Sequence, residues 1–354
     1  MRLTRRHHAA HEPASTRKVT MGISPTELNS SDVHEDTQPE LVKKKIAGRS
    51  PTQIALDRLK KDKIAMTCTV IVLLFIAIAI FAPLLTDLFG VKLRAGDPIH
   101  DTDQFNFPAF GPPDHGFTMK APFGIAPNTG DDNLAEWFYG ARTSLAVATI
   151  ATVISTLIGI VMGLVAGFSK GVGDKVITFV LDVFLSLPFL IVALALAPII
   201  TSRFGDKPDQ LEFWQFVALL SALSFFGWMT LARLVRGEVL SLREREFVQA
   251  ARVIGVPTRR ILFKELLPNL IAPIIVSISL GLPAYVTAEA GLAYLGIGVV
   301  GVPSWGQTIN KAVPFFDTYP LYLYAPVLGI LVLVVALNLL GDAVRDAFDP
   351  KTRR

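Results

Sequence analysis

The amino-acid sequence predicts an all-α polytopic membrane protein with six transmembrane helices. Three observations carry that prediction. Apolar residues make up 51% of the 354 and charged residues only 18%, where a soluble domain carries about a quarter charged; mean hydropathy is +0.47. The apolar residues are gathered into six blocks, each long enough to cross a hydrocarbon layer about 30 Å thick as a helix. The basic residues sit beside those blocks, so the net charge of +4 and the pI near 9.1 point to membrane orientation rather than to nucleic acid.

Residues 1–48 are rich in Ser, Thr, Pro, Glu, Lys, Arg and His and poor in large apolar residues. Such a stretch buries too little surface to offset its ordering entropy and is expected to be a disordered tail. His7, His8 and His11 lack the thiol or carboxylate partners that real sites use, and no metal site is expected there. RSPTQIALDRLKKDK (residues 49–63) follows, with Ile54, Ala55, Leu59 and Lys63 at helical spacing. It reads as a short amphipathic helix on the membrane face, or equally as an ordinary solvated helix start. About 63 mostly polar residues precede the first apolar block. A secretory signal has a short lead and an early apolar core, so this block is expected to be an uncleaved anchor. The single cysteine, Cys68, lies inside it, where it acts as a small hydrophobe and can form no internal disulfide.

The spans are expected at 64–85, 144–168, 176–200, 213–232, 270–300 and 321–340. The second, third and fifth are long enough that tilting or kinking is expected. In the second, Gly159, Gly163 and Gly167 repeat at four-residue spacing, which suits close approach of a neighbouring helix. With the N-terminus inside, the internal segments hold 27 Lys and Arg and the external ones 7, as the positive-inside rule requires. The first external segment, 86–143, is long and rich in Pro, Gly and Asp. Phe105, Phe107, Phe110, Phe117 and Phe123 recur in it and are expected to pack a small subdomain. Asp101 with Asp103, and Asp131 with Asp132, read as solvated loop acids rather than as a calcium site.

One basic segment interrupts the apolar pattern: QAARVIGVPTRRILFKELLPN (residues 249–269). Phe247, Ala250, Ala251 and Ile254 fall at i, i+3, i+4 and i+7, one apolar face of a helix. Gly255 offers the left-handed conformation that ends it, and Pro257 and Thr258 suit a restart. Ile261, Leu262 and Leu266 then mark a second short amphipathic helix that Pro268 is expected to stop before the fifth span. Ala250 and Ala251 would let a partner approach closely, as a knob in a groove; a hairpin packed on its own helices is the other reading.

This segment resembles the EAA loop of ABC-importer permeases: E-A-A, three residues, G, nine residues, a hydrophobic position and L-P. Ala250, Ala251, Gly255, Leu267 and Pro268 match, while Gln249 stands for the Glu and Glu265 for the apolar residue. Four further stretches resemble the C-type permease subunit of the dipeptide and oligopeptide transporter family. They are RSPTQIALDRLKKDKIA, GDDNLAEWFYGARTSL, EAGLAYLGIGVVGVPSWGQTI and NLLGDAVRDAFDP, with Asp131 and Glu136 where basic residues are usual. Together they cover most of the chain from Arg49 onward.

The resemblance implies the type I permease fold of ABC importers, with a cytoplasmic coupling-helix loop and an extended external loop after the first span. It divides the chain into a tail (1–48), a lead helix with the first span (49–85), the external loop (86–143), a five-span core (144–345) carrying the coupling loop (241–268), and a C-terminal tail (346–354). It implies a second homologous permease, two ATPase subunits and an external substrate-binding protein as partners, in a bacterial cytoplasmic membrane with both termini cytoplasmic. Coupling to the ATPases would fall to Gln249, Ala250, Ala251, Gly255, Pro257, Thr258, Leu267 and Pro268. ATP and magnesium would belong to the partners and no cofactor to this chain, which has no G-K-[S/T] tripeptide to cradle a phosphate. No catalytic residue is expected.

Two acids, Asp182 and Glu289, fall within spans, where facing lipid would be costly. They are expected either to line the transport pathway or to serve structural hydrogen bonding. A proton-coupled secondary transporter relaying through Asp182 or Glu289 is the alternative reading. It leaves the docking knob unexplained, and no internal inverted repeat of such carriers is evident.

Overall fold

The computed structural model describes residues 51–93, 107–108, 120–299 and 301–349. The expectations for the tail, for His7, His8 and His11, for Asp101 and Asp103, and for Phe105, Phe110 and Phe117 lie outside the described residues. Among the described residues the secondary structure is helical apart from an isolated bridge between Ile125 and Asp132.

α1 (Pro51–Leu59) is short. It lies against the far end of the chain, where Arg58 donates to the carbonyls of Ala347 and Asp349, both at 3.3 Å. A guanidinium is favourable at those C-terminal carbonyls, which carry the negative end of the last helix. α2 (Lys63–Ile80) begins where the Asp62 carboxylate accepts from the amides of Ile64 (2.8 Å) and Ala65 (3.2 Å). It breaks at Phe81, just before Pro83, and α3 (Ala82–Phe89) continues to Gly90.

α4 (Asn133–Phe168) is one continuous helix. It starts at Asn133 rather than at residue 144, because Asp132 caps it by accepting from Leu134 (2.8 Å) and Ala135 (3.3 Å). The expected third span is broken: α5 (Val172–Ser186) and α6 (Phe189–Phe204) meet at 75°. Pro188 is the physical reason. It lacks an amide hydrogen, and it forces Leu187 into extended geometry at φ −75°, ψ 128°. Among the described residues there are therefore five candidate spans, or six with the bent pair counted as one.

α7 (Pro208–Leu242) packs along α4, and α8 (Glu246–Val253) turns at Gly255, whose φ is +77°. α9 (Thr258–Tyr294) is continuous, so Pro268 does not stop it. Without an amide at Pro268 the α ladder cannot run through, and the chain answers with a π-helical turn, Ile261–Leu266, followed by a 3-10 turn, Leu267–Leu270. α10 (Trp305–Ala312) and α11 (Pro320–Phe348) complete the bundle.

Two seams hold it. In the first, Trp305 is fully buried among Phe75, Ala141, Val286 and Leu333. Its indole donates to the carbonyl of Trp137 at 3.1 Å, and Trp137 donates to that of Ala325 at 3.0 Å. The P-S-W-G stretch explains itself here. Ser304 caps α10, Trp305 fills the core, and a side chain at Gly306 would run into the backbone of Ala290 on α9. The second seam is the glycine repeat. A Cβ at Gly159 would stand 2.9 Å from the Trp228 carbonyl oxygen, and one at Gly163 or Gly167 would stand 2.6 Å from the Cβ of Val235 or Val239. α4 and α7 thus touch backbone to side-chain root along three turns, as the spacing predicts.

Candidate functional site

The α7–α9 connection carries the candidate docking residues. α8 buries Val248 and Ala251 against Val235, Val239, Ile261, Leu262 and Leu266. The opposite side of the same short helix is open: Val253 is 86% and Ile254 78% exposed, with Phe247 and Ala250 also outside. The two alanines thus divide, Ala251 facing inward and Ala250 outward, so α8 is apolar on both sides. Gly255, Pro257, Thr258 and Pro268 are exposed around this crest and Leu267 is half-buried. An apolar crest left in water without a partner is unusual on a loop this basic.

The loop is tied to the end of α4. Arg243 donates to the carbonyls of Gly167 (3.0 Å) and Ser169 (3.4 Å), and the Arg252 guanidinium lies 4.5 Å from the centre of the Phe168 ring, in cation–π range. Gln249 donates to the carbonyl of Arg243 at 3.2 Å and to Oε2 of Glu244 at 3.3 Å. These braces were not legible in the sequence, since each joins residues whose helices must first be placed.

A cavity of about 1040 Å³ opens between α4, α7 and α9. Its wall is apolar with scattered hydroxyls, among them Thr152, Ser155, Thr156, Thr230 and Ser277, and Glu238 and Arg345 stand at one end. Tyr285 reaches across to the backbone of Gly227 in the same wall.

Neither intramembrane acid lines this cavity. Asp182 accepts from Arg233 at 2.5 Å. One turn further along α7, Arg236 accompanies it by donating to Asp174 at 2.7 and 3.0 Å. These pairs fasten α5 to α7. Glu289 is fully buried with the hydroxyls of Ser144 and Ser304 beside it. Toward the far end of the bundle, the buried carboxylate of Glu136 accepts from Lys311 (3.0 Å) and Thr308 (3.3 Å). The acid at position 136 is thus matched by a lysine on α10. Among the described residues no group of three metal-ligating side chains converges.

The fold is a multi-span helical bundle with a cavity between α4, α7 and α9 and an exposed apolar crest on one loop, the architecture of a membrane transport protein. The chain belongs to the family of binding-protein-dependent transport system inner membrane components, whose model matches residues 159–354; residues 50–108 match the N-terminal TM domain of oligopeptide transport permease C. The oligopeptide transport system permease protein OppC of Bacillus subtilis is 31% identical over 85% of this chain and 90% of that protein. The dipeptide transport system permease protein DppC of the same organism is 33% identical over 86% of this chain and 87% of its own length. The glutathione transport system permease protein GsiD of Escherichia coli is 30% identical over 86% and 92%. Among solved structures, an inward-facing MetNI methionine ABC transporter aligns over 59% of this chain and 94% of its own, with 18% identity and a TM-score of 0.45.

Proposed function

We propose that this chain forms one half of the translocation pathway of an ATP-driven importer of short peptides, and that α8 and the turn after it are the seat of an ATPase subunit. The exposed apolar crest of Phe247, Ala250, Val253 and Ile254 carries the reading. It is small at its centre, apolar at its edges, and braced from behind to α4. An importer needs such a point to receive force from a motor, and rigid-body movement of helices is the ordinary response. ATP and magnesium belong to the two motor subunits. A second, homologous permease closes the cavity between α4, α7 and α9, and an external binding protein delivers the solute. Both termini lie on the cytoplasmic side of a bacterial cytoplasmic membrane, consistent with the distribution of Lys and Arg.

Peptide cargo follows from the relatives named for oligopeptides, dipeptides and glutathione. The hydroxyl-dotted, weakly charged cavity wall suits cargo of varied side chains. A proton relay is the poorer reading, since Asp182 is engaged by Arg233 and Glu289 is buried away from the cavity.

The test is Ala250→Arg. Co-purification of the ATPase subunits with the permease should fall about tenfold, as for removal of a central interface anchor, while membrane insertion is unchanged. Association and uptake that both survive would overturn the docking assignment.

A further inference from the structure

We infer that a cleft at the other end of α4, away from α8, is a receptor for a zwitterion, with Arg142 taking the carboxylate and Glu212 the ammonium of a short peptide. This rests on the peptide reading above. The cleft holds about 750 Å³ between α4, the start of α7 and the segment after α9. Arg142 and Glu212 both line it, and both are exposed. Among the described residues neither has a hydrogen-bond or ion-pair partner, although they share one cleft.

Unpaired charge at this position needs a reason. Arg142 lies about 13 Å along α4 from Asn133, where the polar start of the helix gives way to its apolar run. A guanidinium facing hydrocarbon at that depth would be costly, so it must face water or a polar ligand. Glu136 is engaged by Lys311 and Thr308, and Asp132 by the amides of α4. Arg142 and Glu212 line the same cleft, opposite in sign and not joined to each other.

The rest of the cleft matches the body of such a ligand. Phe213, Phe216 and Val302 supply an apolar wall, and Tyr139 and Thr143 supply hydroxyls beside Arg142. A small peptide presents the complementary set: a carboxylate at one end, an ammonium at the other, and side chains between. Arg offers its fork of donors to a carboxylate, and the acid offers an acceptor to the ammonium. The volume is within the usual range for a small-ligand site. The cleft lies at the opposite end of α4 from the α8 crest, where cargo released by a binding protein would arrive.

The experiment uses the complete transporter, with its partner permease, ATPase subunits and binding protein, in proteoliposomes. Uptake of alanyl-phenylalanine is compared with its C-terminal amide and its N-acetyl form, each at equal occupancy of the binding protein. The free dipeptide should be moved about tenfold faster than either capped form, the size expected for one charge-assisted contact. Arg142→Gln should abolish the preference over the amide and keep the preference over the N-acetyl form; Glu212→Gln should do the reverse. If wild type moves all three alike, or if both variants slow all three equally, or if either variant weakens binding-protein docking, the inference falls and peptide import stands. If wild type moves none of the three, the peptide reading falls with it.

Discussion

The side-chain amide of Gln249 donates to Oε2 of Glu244 at 3.3 Å, and its second contact is the carbonyl of Arg243 at 3.2 Å. Both partners are acceptors, so this position requires a donor. The family pattern has a glutamate here, and in this chain a glutamate would face Glu244 across the turn with nothing to give.

Gln249→Glu should therefore loosen the start of α8. The pair is exposed, so the expected cost is about 0.5–1 kcal/mol. Limited proteolysis of the loop should quicken, and Glu244→Gln in the same chain should restore protection. An equal rate in wild type and Gln249→Glu would show that the brace is not formed in the membrane.

Two glycines separate packing from propensity. An alanine at Gly163 gains about 1 kcal/mol of helix propensity. Its Cβ would also stand 2.6 Å from that of Val235 and 2.8 Å from the Ala232 carbonyl. Overpacking of that kind costs about 1–3 kcal/mol, so Gly163→Ala should lower the thermal midpoint of the detergent-solubilised transporter. Gly237, on α7, has nothing within 4 Å of an added Cβ, and Gly237→Ala should leave the midpoint unchanged or raise it. Equal effects at the two positions would refute the seam.

Burial raises the Asp132 carboxyl to about 6, against the lowering pull of the Leu134 and Ala135 amides. Its folded value lies above its unfolded one, so the folded state holds an extra proton between about pH 4 and 6. The contribution to stability is complete below the unfolded value and is lost as pH rises through 6. It amounts to about 3 kcal/mol at most. The difference in thermal midpoint between wild type and Asp132→Asn should shift toward the variant from pH 4.5 to 7. A difference independent of pH would exclude it.

Much of the architecture was legible because membranes constrain sequence severely. Blocks of about 20 apolar residues have few alternatives to a spanning helix, and the glycine repeat at 159, 163 and 167 meets α7 as its spacing predicts. The bend at Pro188 and the π turn before Pro268 were harder. Proline says where an amide is missing, and the surrounding packing decides whether the helix breaks, as at 188, or reroutes its ladder, as at 268. On α8 the periodicity named an apolar face and missed that there are two, since Val248 completes an inward one. The pairs Asp182–Arg233 and Glu136–Lys311 join residues far apart in the chain. Their partners become evident only once the helices are side by side.

α4 has a mechanical property that no local contact conveys. Its 36 residues make a rod about 54 Å long. Arg243 is fastened to the carbonyl of Gly167 at one tip, and Arg142 stands near the other. A tilt of about 10° pivoting at the first tip sweeps the second through roughly 9 Å, more than the width of a dipeptide backbone. In the importer proposed above, small strokes at the base of this lever would become large ones at its far tip, and the glycine seam would carry α7 with it.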